Sequence, residues 1–269
     1  MNLKHDVFDF HVHLYPDGLA EKAVANLSGK FGNPPSFDGT VLDMTRLLAR
    51  NHFGGALNLP VATKPDQVSS INLWAIAINI PPIASLGTIH PDQEDIPQTL
   101  RFLKQSGLRG IKLHPEYQRF TLDDPRMVCV WETCCAEKLF VYLHAGGERV
   151  FTPPFHTSPH AIAQLLNRYP GLTLIAAHLG GFQMWDESER ELIGRNLYLD
   201  LSHTLFWMPD TQVFRMIRNH GANKIVFGSD APWQDPAQIL AAFLALPLTA
   251  DEQRAILWDN AIHLLNRDF

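Results

Sequence analysis

Short apolar runs rich in β-formers alternate with amphipathic helical stretches from one end of this chain to the other. The runs read as eight strands, at residues 7–13, 54–60, 83–90, 108–114, 140–144, 172–178, 197–202 and 224–229. Helix-start signals fill the intervals: Asp38-Gly39-Thr40, Pro65-Asp66, Ile96-Pro97, Pro125, Ser158-Pro159, Trp185-Asp186, Pro209-Asp210 and Asp235-Pro236. Proline in the first turn of a helix sacrifices no hydrogen bond, so it marks a start rather than a break. A last helix is predicted over 249–265, with Ile256, Leu257, Ala261 and Leu264 at helical spacing, packing over the strands. Strand–helix alternation of this kind specifies a parallel sheet with helices as crossovers.

Eight such units within 269 residues match the length of a closed (β/α)8 barrel. An open doubly wound sheet also alternates, but it normally offers a glycine-rich phosphate turn after its first strand. Here that place is taken by His11-Val12-His13. No internal repeat, low-complexity run or linker interrupts the pattern. The prediction is one α/β domain over residues 1–269, a single TIM barrel with an extra C-terminal helix and a loop/short-helix insertion after strand one. That insertion, residues 14–36, holds a helix-like run over 19–27 and then Gly32-Asn33-Pro34-Pro35. A lid and a passive surface loop are both open for it.

The formal charge of −6 and pI of about 6.1 leave no basic field for a nucleic-acid backbone, and no Lys/Arg run is present. The longest apolar runs are too short to cross a membrane. The first six residues lack the apolar segment of a secretory signal. A cytoplasmic protein acting on a small molecule is expected, with no nucleic-acid or membrane partner and with a homo-oligomer left open. Cys129, Cys134 and Cys135 lie in one helical stretch without a Cys-x-x-Cys pair. They read as small apolar residues on a helix face rather than as a zinc site or a disulfide.

The chemistry lies with the histidines. Residues two apart on a strand share a face, so Asp9, His11 and His13 point one way while Phe10 and Val12 point the other. Two imidazoles beside a carboxylate suit a divalent cation. Of 13 histidines, His11, His13, His90, His114, His144 and His178 lie at or beside the C-terminal end of a predicted strand, and His203 follows the seventh. In a barrel those ends share one rim, the place of active sites in this fold. Asp230 follows the eighth strand, which neighbours the first across the barrel seam. An Asp there is otherwise a helix cap or turn residue. Arg149, His156, Trp185 and Trp233 are candidate pocket residues, with a surface or packing role open for each.

These residues, Asp-Phe-His-Val-His (9–13), Gly-Ile-Lys-Leu-His-Pro (110–115), Leu-His-Ala-Gly (143–146), Ala-His-Leu-Gly-Gly (177–181) and Phe-Gly-Ser-Asp-Ala-Pro (227–232), resemble the amidohydrolase superfamily. More narrowly, they resemble its amidohydrolase-related (amidohydrolase 2 type) metal-dependent hydrolases, a group that includes decarboxylases. The resemblance runs to Asn-Ala-Ile-His-Leu-Leu (260–265). It implies His11, His13, His144 and Asp230 as metal ligands, with Asp230 also the catalytic acid/base. His178 would polarise the substrate carbonyl in one-metal members and ligate a second ion in two-metal members. On the fourth strand, Lys112 stands roughly where two-metal members carry a carboxylated lysine or a glutamate. It reads as an ammonium binding a substrate carboxylate, with a carbamate ligand or a lysine paired to Glu116 as alternatives. His114 is read as a second substrate-binding residue, a structural histidine being the alternative.

The implied cofactor is a divalent metal, zinc by the histidine-rich set, with manganese, iron or cobalt also compatible; one ion is favoured and two remain open. The function read from this is a metal-dependent hydrolase that activates a metal-bound water to cleave an ester, lactone or amide-type bond of a small, carboxylate-bearing substrate. The alternative is a metal-dependent decarboxylase of an aromatic or enoic acid on the same site. A metal-dependent deoxyribonuclease is disfavoured by the negative charge, and a barrel that binds metal or ligand without turnover is the rival from outside enzymology.

Overall fold

The computed structural model describes residues 6–31 and 34–266. Residues 1–5, and with them most of the segment read for a secretory signal, lie outside the described residues, as does Gly32-Asn33 of the predicted loop. The described strands are β1 (Phe8–Val12), β2 (Gly55–Asn58), β3 (Ile83–Ser85), β4 (Gly87–Thr88), β5 (Gly110–Leu113), β6 (Phe140–Leu143), β7 (Leu174–Ala176), β8 (Tyr198–Asp200) and β9 (Ile225–Val226). Each predicted strand is present, trimmed at its ends. One needs correction: the run 83–90 is two strands, interrupted at Leu86. Its first part lies against β2, where the Ala56 amide donates to the Pro82 carbonyl (3.0 Å). Its second part pairs with β5 through Gly87↔Ile111 and Thr88↔Lys112. A strand whose ladders on its two sides do not overlap reads as two short pieces.

The helices are α1 (Asp17–Phe31), α2 (Val41–Asn51), α3 (Val68–Ile78), α4 (Ile96–Gln105), α5 (Pro115–Gln118), α6 (Val128–Glu137), α7 (Pro159–Arg168), α8 (Trp185–Glu191), α9 (Asp210–His220), α10 (Pro236–Leu244), α11 (Ala250–Arg254) and α12 (Asn260–Leu265). Their starts carry the side-chain caps the sequence advertises. Thr40 accepts from the Asp43 amide, Ser158 from Ala161 and Asp235 from Ala237. The predicted last helix is α11 and α12 joined by a π-helical turn, Ala255–Asp259. The wide turn retards the helical phase. Leu265, rather than the predicted Leu264, therefore ends up buried beside Ile256, Leu257 and Ala261. No helix is long and apolar enough to cross a membrane among the described residues. In α6, Cys134 is buried and Cys129 and Cys135 are half-buried, all as free thiols.

The chain forms two compact units. The first comprises Met1–Asn58, Ile80–Ala84 and Asp200–Phe269. There β1 runs parallel to β2 through Phe8↔Gly55 and Asp9↔Ala56. On its other side the Phe10 amide donates to Phe227, Asp230 to His11 and His13 to Ala231 (each 2.8 Å). All five β1 residues are buried, as expected of a parallel strand covered on both faces. Asn260 of α12 donates through Nδ2 to the carbonyls of Ala222 (2.8 Å) and Ile225 (2.6 Å), fixing the last helix to β9.

The second unit comprises Leu59–Asn79 and Ser85–Leu199. Within it β5, β6 and β7 pair in parallel with matched register (Leu113↔Leu143, Leu143↔Ala176), and β7 pairs with the start of β8 (Ile175↔Tyr198). Beyond β6 and β7 the chain continues into two loops that zip together. The Phe182 amide donates to Ala145 (2.9 Å) and the Gly147 amide to Phe182 (2.8 Å). Gly146 makes that approach possible: its φ is +81°, and a Cβ there would lie 2.3 Å from the Phe182 nitrogen.

Candidate metal and substrate site

Each unit brings candidate residues together. In the first unit the alternation of β1 delivers His11 and His13 to one face, and the β9 hydrogen bonds bring Asp230 beside them. His13 Nε2 lies 2.9 Å and His11 Nε2 3.4 Å from Asp230 Oδ1. One donor atom from each of the three falls within 4.8 Å of the others. The sequence places Asp230 at a strand end but carries no sign of its backbone, which is left-handed (φ 64°). A non-glycine residue held there stores strain, a recurrent property of functional positions.

His203, flagged by position only, lies with Nδ1 2.8 Å from Asp230 Oδ2. Burial alone would raise the Asp230 carboxyl. The electrostatic pull of the His11 and His203 rings, with hydrogen bonds from His13 and His203, holds it well below the usual carboxylate range instead. Asp9 shares the face but turns to the backbone, accepting from Ser229 Oγ (2.5 Å), the Ser229 amide (2.9 Å) and the His11 amide (3.2 Å). It braces the strand end. Asp200 and Ser202, which sequence reading passed over, contact His11 from behind. Their alternation in Asp200-Leu201-Ser202 is the signal that could have found them.

A divalent cation fits this cluster on the chemistry of its donors: two imidazole nitrogens and a carboxylate oxygen, all buried or nearly so. His11 Nδ1 is engaged by Asp200 Oδ2 at 2.6 Å, so its Nε2 is the nitrogen left to face the cluster.

In the second unit, β5, β6 and β7 supply Lys112 and His114, His144, and His178 from their ends. His114 and His144 stack with centroids 4.0 Å apart, and His178 Nε2 lies 3.2 Å from His144 Nδ1. The His144 Nε2–H donates to the Gly147 carbonyl (2.9 Å), so in the neutral ring Nδ1 is the acceptor, with His178 Nε2 against it. Burial pulls His144 well below its ordinary pKa, reinforced by His114, His178 and Lys112 and opposed by Glu148. Glu148, another residue not singled out beforehand, places Oε2 3.4 Å from His114 Nε2. Lys112 is fully buried, with Nζ 4.8 Å from the Tyr142 ring centroid.

The alternative that paired Lys112 with Glu116 meets a competing contact. Glu116 accepts from the His156 amide (2.5 Å) and faces His156 Nδ1 (3.1 Å). Among the other candidates, Trp185 Nε1–H donates to the His178 carbonyl (3.0 Å), Trp233 is buried, and Arg149 is exposed. His90 closes a local turn, its Nδ1 accepting from the Asp92 amide (3.2 Å).

Among curated proteins no sequence matches this chain. Solved structures do. An uncharacterized TIM-barrel protein from Bordetella bronchiseptica is 18% identical, with a TM-score of 0.77 over 97% of this chain and 98% of that one. The 5-carboxyvanillate decarboxylase of Novosphingobium aromaticivorans, solved with manganese and 3-methoxy-4-hydroxy-5-nitrobenzoic acid, is 14% identical, with a TM-score of 0.75 over 99% and 98%. A Pseudomonas putida protein provisionally named 2-pyrone-4,6-dicarboxylic acid hydrolase is 20% identical, with a TM-score of 0.70 over 99% and 98%. Similarity at this level establishes the fold, and the fold is the TIM barrel that the alternating pattern predicts. The Amidohydrolase family model matches residues 8–267, nearly the whole chain. By that match, spanning every motif discussed above, the chain belongs to the amidohydrolase family.

Proposed function

We propose that this protein is a metal-dependent hydrolase cleaving an ester, lactone or amide-type bond in a small carboxylate-bearing substrate. The observation that carries the reading is the convergence of His11, His13 and Asp230, with His11 already oriented through its far nitrogen. A divalent cation at these donors supplies a Lewis acid and lowers the pKa of water toward neutrality. Asp230 is held ionised, so it is equipped to accept a proton and return it to a leaving group. The resemblance adds His144 to the ligands, and its neutral ring, with Nδ1 as the unprotonated nitrogen, is the supporting observation. His178 is assigned to polarising the substrate carbonyl. Lys112 and His114 are assigned to the substrate carboxylate, supported by the burial of Lys112 on the strand that leads into His114, whose ring stacks on His144.

Decarboxylation on the same residues is the second reading. It is favoured by the similarity to a decarboxylase solved with a metal and a benzoic acid. A proton delivered to carbon by Asp230 or His178 would replace hydrolysis.

Two measurements test the proposal together. Elemental analysis of purified protein should find a divalent metal, reduced in His11→Ala and His144→Ala, while Asp230→Asn loses turnover even in whatever fraction keeps its metal. Chromatographic detection of the acid and alcohol or amine products from a panel of esters, lactones and amides should report activity, with no carbon dioxide evolved from aromatic and enoic acids. Carbon dioxide evolution without hydrolysis would transfer the protein to the second reading. Unchanged metal in both histidine variants would remove the ligand assignment.

A further inference from the structure

The cluster behind His11 has a consequence for which tautomer that ring adopts. Asp200 Oδ2 lies 2.6 Å from His11 Nδ1, and Ser202 Oγ lies 3.0 Å from the same nitrogen. The Ser202 hydroxyl donates to Asp200 Oδ1 (2.6 Å), and the Ser202 amide donates to that same oxygen (3.0 Å). His11, Asp200 and Ser202 are all buried, so none of these bonds competes with bulk water. The two carboxylate oxygens thus have separate duties. Oδ1 is occupied by two donors from Ser202, and Oδ2 is left for the imidazole. With its only hydroxyl proton committed to Oδ1, Ser202 Oγ can meet His11 Nδ1 only as an acceptor.

We infer that Asp200 and Ser202 together are positioning residues that keep a proton on His11 Nδ1 and thereby present a bare Nε2 toward Asp230. The inference rests on the cation-binding reading above and deepens it, naming what sets the donor state of one ligand. Its physical basis is the fixed polarity of the chain: Ser202 donates to Asp200, and Asp200 accepts from His11. Neither residue belongs to the donor set His11, His13 and Asp230; both act through the ring.

The arrangement makes an isosteric change decisive. In Asp200→Asn the amide has one oxygen and one NH2 group. The two Ser202 donors claim the oxygen, which turns the NH2 toward His11 Nδ1. That group can only donate, so Nδ1 must be bare and the proton moves to Nε2, blocking the nitrogen needed for ligation. Asp200→Asn is therefore expected to behave worse than Ser202→Ala, although the latter removes more atoms. Ser202→Ala deletes one of the two donors on Oδ1 but leaves a carboxylate that still accepts from His11.

The test uses the full chain stripped of metal at pH 8, with 15N-labelled histidine. Wild-type His11 Nδ1 should show the shift of a protonated ring nitrogen; Asp200→Asn should move it to that of a bare one, and Ser202→Ala should not. Competition with a chromophoric chelator then measures zinc affinity, which should fall about 10–100-fold in Asp200→Asn and less in Ser202→Ala. Circular dichroism establishes that both variants fold; should Asp200→Asn fail to do so, an unprotonated His11 Nδ1 in the wild type alone overturns the inference. It is equally overturned if the Nδ1 signal and the zinc affinity of folded Asp200→Asn match the wild type. If the Nδ1 state follows the prediction while no variant or wild type binds zinc, manganese or cobalt, the positioning holds and the metal-dependent reading fails.

Discussion

Asp9 and Asp230 stand at neighbouring strand ends of one unit, yet their carboxyls are driven in opposite directions. Asp230 is surrounded by imidazoles and stays ionised. Asp9 has only neutral donors around it, and burial pushes its carboxyl up to about 7, with the Asp230 charge adding to the rise and bonds from Ser229 and His11 opposing it. The unfolded chain holds this group near 3.8. Between those values the folded protein binds the extra proton, so this group's contribution to stability falls as pH rises and levels off above about 7. One proton accounts for a slope of about 1.4 kcal/mol per pH unit at most. In metal-free protein, Asp9→Asn should remove that slope, because the amide keeps the oxygen that accepts from two amides and Ser229 can rotate to meet its NH2. Denaturant midpoints of both proteins from pH 4 to 8 measure it, and parallel curves would show that Asp9 is ionised throughout.

Two elements set the geometry of the first cluster, and each offers a lever distant from the chemistry. The loop leaving β9 passes so close to β1 that a Cβ on Gly228 would lie 2.8 Å from His11 Cβ and 3.7 Å from the Asp200 carboxyl carbon. A methyl there must displace His11, Asp200 or both. Gly228→Ala should lower metal affinity by about tenfold or more while the far-ultraviolet spectrum is retained, and an unaltered affinity would mean that the strand ends have slack. The second lever is Asn260, whose side-chain amide ties α12 to two carbonyls flanking β9. Asn260→Ala strands the buried Ile225 carbonyl and the part-buried Ala222 carbonyl and should cost about 1–3 kcal/mol, read by urea unfolding. A loss well below that range would show water reaching those carbonyls.

At the scale of the molecule, period-2 and helical patterns made all the predicted strands readable, because each is buried on both faces and flanked by capped helices. They could not show the break at Leu86, since hydrogen-bond partners leave no mark on side-chain pattern. Nor could they show the π turn that exchanges Leu265 for Leu264. The meeting of His11, His13 and Asp230 was legible because residue types able to hold a cation are few and these fell at strand ends. Asp200, Ser202 and Glu148 were not, because a carboxylate or hydroxyl at a strand end usually caps or turns the chain, and only distances distinguish it.

The first unit gathers residues from both ends of the chain, with β1 from one and β9 from the other. His11 and His13 come from the former and Asp230 follows the latter, so a cation bound by all three would crosslink segments the unfolded chain leaves far apart. Binding to the folded state alone stabilises by about 2.7 kcal/mol when free ligand is a hundredfold above Kd. For a chain of this size each kcal/mol moves the thermal midpoint by about 2–4 °C. Chelator-stripped protein should therefore melt about 5–11 °C below protein held at that zinc excess, and His11→Ala should melt at one temperature under both conditions. Equal midpoints for stripped and loaded wild type would mean that the three donors meet without holding an ion. A shift that survives in His11→Ala would place the stabilising ion on other residues.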